Sequence, residues 1–345
     1  MTTSGGIRVP RDRAEQVRRE LLKQGVLRSG LKPLREGDFV VFPFETRPEG
    51  ITGEMVEVDF EATSEGPRSY MDRLQLPPEL VQQLPSSFDV IGTIVAIRLE
   101  GDLLPYQKEI GEALLSFVPR ARTVAVDHGV QGPTRVRALE VVAGEDTLRT
   151  RYRENGVDFE VDLGRVYCSP RLAREHAYIA GLVTPGERVL DLFCGFGPFG
   201  LTILRKHADV RVVSVDLNPQ AIEFLRDNAR RLRVEDRIEA KCLDAAVFLE
   251  EESSFDRVIM NLPREGYKYL PKVGSRVKGP GWLHFYGLVP RDQQRSTEEM
   301  VLSHLTSEAA NGRWTLEGSR EVHPYSPSQL LMAFTLRKHG ESEVP

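Results

Sequence analysis

From about residue 166 onward the chain alternates short apolar runs with helical segments, and this alternation limits the fold more than any other feature. The apolar runs are 188–193, 210–216, 237–243, 255–261, 282–288 and 329–337, with a helix expected over 219–232. Repeated β-α alternation implies a parallel, doubly wound sheet, whose ligands bind beyond the carboxyl ends of its strands. One of those ends stands out. The run Arg188–Phe193 carries Asp191 and leads into Gly195-Phe-Gly197-Pro-Phe-Gly200, a tight turn that opens a helix. Glycine lets backbone come close to a ligand and adopts conformations that other residues resist.

Upstream of that region the pattern changes. Residues 7–47 read as a small α/β unit: Ile7 and Val9 start a strand, 11–24 has helical character capped by Gly25, and 39–44 is a strand. A polar stretch over 61–73 with Gly, Pro and Ser reads as a linker. Residues 88–99 are strand-rich, 105–118 start with Pro and carry apolar residues at helical spacing, and 123–127 and 135–142 are strands. Residues 149–163 read as a hairpin turning at Asn155-Gly156. The expected division is therefore a small domain over 1–60, a linker over 61–73, a middle α+β domain over 74–165, and an α/β domain over 166–345.

Composition narrows the function classes. The 345 residues are 40% hydrophobic, enough for packed cores, and no apolar run approaches the roughly 20 residues of a membrane helix. The N-terminus lacks an apolar leader segment, and three cysteines (168, 194, 242) without C-x-x-C spacing fit a reducing compartment. The expectation is a cytoplasmic protein with no membrane partner. The net charge of −5 does not by itself suggest a nucleic-acid partner. Charge is unevenly spread, however: residues 1–50 hold ten Lys/Arg against seven Asp/Glu, and 120–137 holds four arginines against Asp127. Metal chemistry has little support, since the seven histidines show no ligand spacing. His284, Trp282, Phe285 and Tyr286 read as core, and no G-x-S-x-G motif is present.

Three carboxylates at strand ends point to the ligand. Asp216, 25 residues after Asp191, can accept both ribose hydroxyls of an adenosine, and Asp244 can reach the adenine amino group. Gly195-x-Gly197-x-x-Gly200 formally matches a dinucleotide fingerprint. Asp191 at the turn would repel a pyrophosphate, though, and suits a cationic sulfonium instead. A further strand ends in Asn261-Leu-Pro263, a polar residue before proline where S-adenosylmethionine (AdoMet) enzymes place a substrate-contacting group. AdoMet is favoured over NAD as cofactor. An NAD-dependent oxidoreductase and a non-catalytic RNA-binding protein are the readings from other classes.

Residues 166–200, with Cys168-Ser-Pro-Arg171-Leu-Ala-Arg-Glu175-His176 before Asp191–Phe199, and then Asn261-Leu-Pro263, resemble the archaeal and eukaryotic family of tRNA (guanine-37 N1)-methyltransferases. Residues 76–99 and 135–145 resemble that family's middle domain, and 7–44 resembles its small N-terminal domain. The resemblance implies a class I, Rossmann-like AdoMet-dependent methyltransferase domain preceded by two smaller α+β domains. It implies a tRNA carrying G37 as partner, and residues 1–60 touching the tRNA's outer corner. A monomer is expected. By the same resemblance Glu175 is the general base, Arg135 stabilises guanine O6, and Asn261 orients the base. Substrate contacts follow for Arg137, Arg171 and Pro263. Cofactor contacts follow for Asp191, Phe193, Gly195, Gly197, Asp216, Leu217, Asp244 and Asn261. The nearest alternative is a wybutosine-pathway enzyme of the same fold, transferring an aminocarboxypropyl group or adding a methyl to a carbon of a tricyclic guanosine. Three positions depart from the family pattern: Cys168 for an aromatic, Cys194 for Ala, and His176 for Arg, the last with Arg174 in position to compensate.

Overall fold

A strand that is apolar on both faces needs covering on both faces, and that requirement organises the larger part of this protein. The computed structural model describes residues 2–28, 30–62, 69–251, 253–307, 310 and 312–340. They form two compact units, Met1–Arg73 and Leu74–Pro345.

In the first unit, β1 (Thr2–Pro10), α1 (Ala14–Lys23), β2 (Leu34–Glu36), β3 (Phe39–Pro43) and β4 (Glu54–Phe60) build an antiparallel sheet of order β2-β3-β1-β4. Helix α1 buries Val17 and Leu21 against Ile7, Val9, Val40 and Phe42. β4 was not expected as a strand. Of the expected linker 61–73, residues 63–68 lie outside the described residues. The remainder is structured, with Ala62 bridged to Leu31 and Tyr70 buried in a 3-10 turn.

The second unit starts with α2 (Pro78–Val81), β5 (Asp89–Ile91), β6 (Ile94–Ile97), α3 (Gln107–Phe117), β7 (Thr123–Gln131) and β8 (Val136–Gly144). The sheet order is β5-β6-β7-β8, with β6 and β7 parallel on either side of the α3 crossover. A hairpin follows, β9 (Arg149–Glu154) and β10 (Val157–Asp162), turning at Asn155 and Gly156 with φ of 50° and 79°. Positive φ at both central residues is the geometry that Asn-Gly favours.

This hairpin was placed in the middle domain, but it packs on the following one. Phe159 and Val161 are fully buried in the same cluster as Ile179, Leu201 and Leu225. The Asn228 side chain spans the Glu160 backbone, accepting from its N–H at 2.9 Å and donating to its carbonyl at 3.0 Å. Burial would raise the Glu160 carboxyl, but hydrogen bonds from Arg151, Arg149 and Arg231 hold it down to about 2.

The remaining elements are α4 (Ala173–Leu182), β11 (Arg188–Leu192), α5 (Pro198–Lys206), β12 (Arg211–Asp216), α6 (Pro219–Leu232), β13 (Ile238–Cys242), α7 (Ala245–Phe248), β14 (Phe255–Met260), α8 (Leu270–Arg276), β15 (Val277–Pro290), α9 (Gln294–Leu305), β16 (Trp314–Pro324) and β17 (Gln329–Lys338). They form a seven-stranded sheet of order β13-β12-β11-β14-β15-β17-β16. The first five strands are parallel, as the alternation implies. β17 departs from that expectation by running antiparallel between β15 and β16. Its run Leu330–Phe334 is buried, as a strand paired on both sides requires, whereas β16 is an edge strand with mostly polar residues.

Candidate active site

A cavity of about 330 Å³ opens where β11, β12, β13 and β14 end, the size range of small-molecule sites. Its wall includes Phe193, Gly195, Asp216, Leu217, Asp244, Asn261 and Pro263, all expected from the sequence. Arg135 joins them from the turn between β7 and β8.

The turn after β11 is built from alternating left-handed residues: Phe193 (φ 71°), Gly195 (56°) and Gly197 (86°). A Cβ at Gly197 would stand 2.1 Å from Leu225 Cδ1, so α5 could not pack as it does. Gly197 therefore shapes the turn and does not line the cavity. Phe193 is a bulky residue in a region that bulky residues resist. Its ring lies 5.3 Å from that of Tyr269, and both side chains face the cavity. The turn is tied to the next strand end, because Gly195 N–H donates to Asp216 Oδ2 at 2.7 Å. Asn218 N–H donates to the other Asp216 oxygen at 2.9 Å. Burial pushes the Asp216 carboxyl up. Asp244 caps α7 through Ala246 N–H at 2.7 Å, and Leu217 presents an exposed apolar face beside it. Carboxylates at two adjacent strand ends, an apolar ledge and a glycine turn fit an adenosine-bearing ligand.

Asp191 was expected to face that ligand and does not. It is fully buried beneath the turn, with Oδ2 accepting from Gly200 N–H at 3.2 Å and Oδ1 without a partner. Burial pushes its carboxyl up to about 7. The unfolded chain loses this proton near pH 4 and the folded chain near pH 7. Between those values folding takes up a proton, so stability falls as pH rises, by roughly 3–4 kcal/mol across the interval. Asp191→Asn removes this titration. Its urea midpoint is expected to gain on that of the wild type between pH 5 and pH 7.5. Parallel midpoints at the two pH values would mean that Asp191 is already ionised at pH 5.

Arg137 and Arg171 also lie off the cavity wall. Both reach Asp89: Arg137 Nη2 at 2.7 Å, with Asp127 at 3.0 Å, and Arg171 Nη2 at 3.3 Å. They tie β8 and the turn before α4 to β5, because Asp89 is the carboxylate within reach of both. Arg135, left-handed at φ 54°, sets its guanidinium 5.9 Å from the Tyr167 ring centroid.

Glu175 does not line the cavity either. Its carboxylate accepts both Nη atoms of Arg320, Nη2 at 2.6 Å, and the Tyr286 hydroxyl at 3.0 Å. Arg320 in turn lies 4.0 Å over the Tyr178 ring. Tyr286, expected as plain core, is fully buried and has this polar task as well. Arg320 was missed because it sits on β16, an edge strand, 145 residues from its partner. No local signal pairs them.

Next to it, His176 does line the cavity, and its Nδ1 lies 2.5 Å from Glu154 Oε1. Arg174 is exposed, so the compensation expected of it falls to His176 itself. Cys168 and Cys194 are both buried, in keeping with their reading as small packing residues. Among the described residues no cluster of His, Cys, Asp and Glu could hold a metal, and no helix is long and apolar enough to cross a membrane.

Comparison with known proteins decides what this arrangement serves. The TRM5/TYW2 methyltransferase domain model matches residues 150–310, the TYW2 N-terminal domain model 68–147, and the tRNA methyltransferase 5 N-terminal domain model 6–52. The tRNA (guanine(37)-N(1))-methyltransferase Trm5b of Pyrococcus abyssi is 33% identical over 96% of this chain and 98% of its own. The chain belongs to the TRM5/TYW2 methyltransferase family. The crystal structure of P. abyssi Trm5b superposes with a TM-score of 0.77 over 98% of this chain and all of that one, at 32% identity. The complex of aTrm5 and tRNALeu superposes with 0.71 over 97% of this chain and 99% of that one, at 27% identity. The tRNA(Phe) (4-demethylwyosine(37)-C(7)) aminocarboxypropyltransferase of Pyrococcus horikoshii is 31% identical over 63% of this chain and 76% of its own. This TRM5/TYW2 member is a methyltransferase with a class I AdoMet-binding domain. The Asp216, Asp244 and Leu217 constellation is where AdoMet fits.

Proposed function

We propose that this chain methylates N1 of guanine 37 in the anticodon loop of tRNA. Among the supporting observations, the one that carries the reading is the placement of Arg135, Asn261 and Pro263 on the wall of the same cavity that carries the adenosine-binding carboxylates. A flipped purine entering there meets a cation and an amide next to the methyl donor.

Guanine N1 bears a proton at neutral pH, so attack from N1 needs a base and stabilisation of the charge that gathers on O6. Arg135 is placed to stabilise O6, and Asn261 to hold the base edge. Glu175 takes the proton once the entering purine opens its pair with Arg320. AdoMet, when bound, supplies an electrophilic methyl on a sulfonium. The N1–carbon bond forms as the sulfur–carbon bond breaks, and the electron pair stays on sulfur. The protein's part is to align the two reactants.

The unit Met1–Arg73, whose residues 6–52 match a tRNA methyltransferase N-terminal domain, is assigned to the outer corner of the tRNA. The chain acts as a monomer in the cytoplasm, where its substrate is.

Nucleoside mass spectrometry of a G37 tRNA transcript, incubated with enzyme and AdoMet, is expected to show 1-methylguanosine. An A37 transcript should stay unmodified. Methylation of both transcripts, or of neither, would overturn the reading.

A further inference from the structure

A buried polar atom on a cavity wall without a protein partner marks a place for a ligand atom. His176 provides one. The residue is 3% exposed and lines the cavity, yet its Nε2 has no hydrogen-bond partner among the described residues. The other ring nitrogen is committed. A carboxylate only accepts, so Nδ1 carries a proton and donates it to Glu154, which is itself buried and lies off the cavity wall. The Phe199 ring meets the imidazole edge-on at 4.5 Å and keeps it in this orientation. Phe199 follows Pro198 at the start of α5, so the open nitrogen shares its stretch of wall with the glycine turn.

We propose that His176, held and charge-balanced by Glu154, binds the α-carboxylate of the methionine part of AdoMet through Nε2–H. This rests on the AdoMet reading of the cavity. The ligand chemistry follows by sorting its groups. The adenine and ribose find Asp244 and Asp216. The sulfonium and the ammonium are cations, which an imidazolium paired to Glu154 does not attract. The carboxylate is the one anionic group left, and it needs a donor. The other cations on the wall are engaged elsewhere: Lys268 is 2.8 Å from Glu265, and Arg135 stands over Tyr167. A ring held between two carboxylates, one from the protein and one from the ligand, donates to each.

The test is calorimetric titration of wild type, His176→Ala and Glu154→Gln with three ligands. S-adenosylhomocysteine carries amine and carboxylate, its decarboxylated analogue keeps only the amine, and 5′-methylthioadenosine lacks both. His176→Ala is expected to weaken S-adenosylhomocysteine about 10- to 100-fold, the loss of one charge-assisted hydrogen bond. The other two ligands should change by less than threefold. Glu154→Gln should show the same selectivity, and serves if His176→Ala does not fold. His176→Arg, which keeps a cation, should retain most of the S-adenosylhomocysteine affinity. Equal losses for all three ligands, or none for any, would overturn the assignment. A wild-type protein that binds none of them would instead sink the AdoMet reading itself.

Discussion

Glu175→Gln is expected to slow single-turnover methyl transfer to a G37 transcript by about 10²- to 10⁴-fold, the usual contribution of a positioned proton acceptor. S-adenosylhomocysteine affinity should stay within twofold, because Glu175 lies off the cavity that holds the adenosine groups. Glutamine preserves the shape and can still accept from the Tyr286 hydroxyl and one Arg320 nitrogen, so the loss reports the missing base and not a collapsed site. The slow rate should persist at every pH, since an amide cannot regain the role. A variant with wild-type turnover across the pH range would remove Glu175 as the proton acceptor and move attention to groups on the cavity wall itself.

The largest expected effect on stability lies elsewhere. Arg257 is 2% exposed, and its guanidinium has three partners: both Glu187 oxygens at 2.7 and 2.9 Å, the Leu182 carbonyl at 2.8 Å, and His284 Nε2 at 2.6 Å. A guanidinium only donates, so His284 accepts through Nε2 and is neutral. Burial, followed by the charge of Arg257, keeps its imidazole well below the usual range. Arg257→Met leaves a buried carboxylate, a carbonyl and an imidazole without their donor. Breaking such a pair costs about 3–5 kcal/mol. Urea unfolding of the variant should show a matching drop in midpoint. Adding Glu187→Leu should recover part of it, because the stranded charge is then gone. A midpoint within experimental scatter of wild type would show that the pair is dispensable to the sheet.

The elements that the sequence makes legible are those with local causes. α6 runs over Pro219–Leu232 as read, because Asn218 caps it and its apolar stripe has helical spacing. The Asn155-Gly156 turn specifies its own hairpin. The glycine turn after β11 and the strand-end residues Asp216, Asp244 and Asn261 follow from one rule about open α/β sheets. Features fixed by distant partners were not legible. β16 is polar because it is an edge, and so it does not read as a strand. The apolar run of β17 announces a buried strand but not its direction. Arg137 looks like a free cation until Asp89 and Asp127, far from it along the chain, are brought beside it. Asp191 shows the limit of reading charge from letters, since its carboxyl is buried and pushed up to about 7.

The antiparallel placement of β17 bears on how the protein is made. On a ribosome, β11 to β15 emerge and can pair before residue 314 has left the tunnel. Until β17 follows, the outer face of β15 has no strand beside it and Arg320 has no scaffold to fix it opposite Glu175. The nascent domain therefore carries an exposed sheet edge and an unmatched acidic group until its last forty or so residues arrive. A stalled or truncated chain of this kind is a natural client for chaperones, and the competent pocket is among the last features to be completed during synthesis.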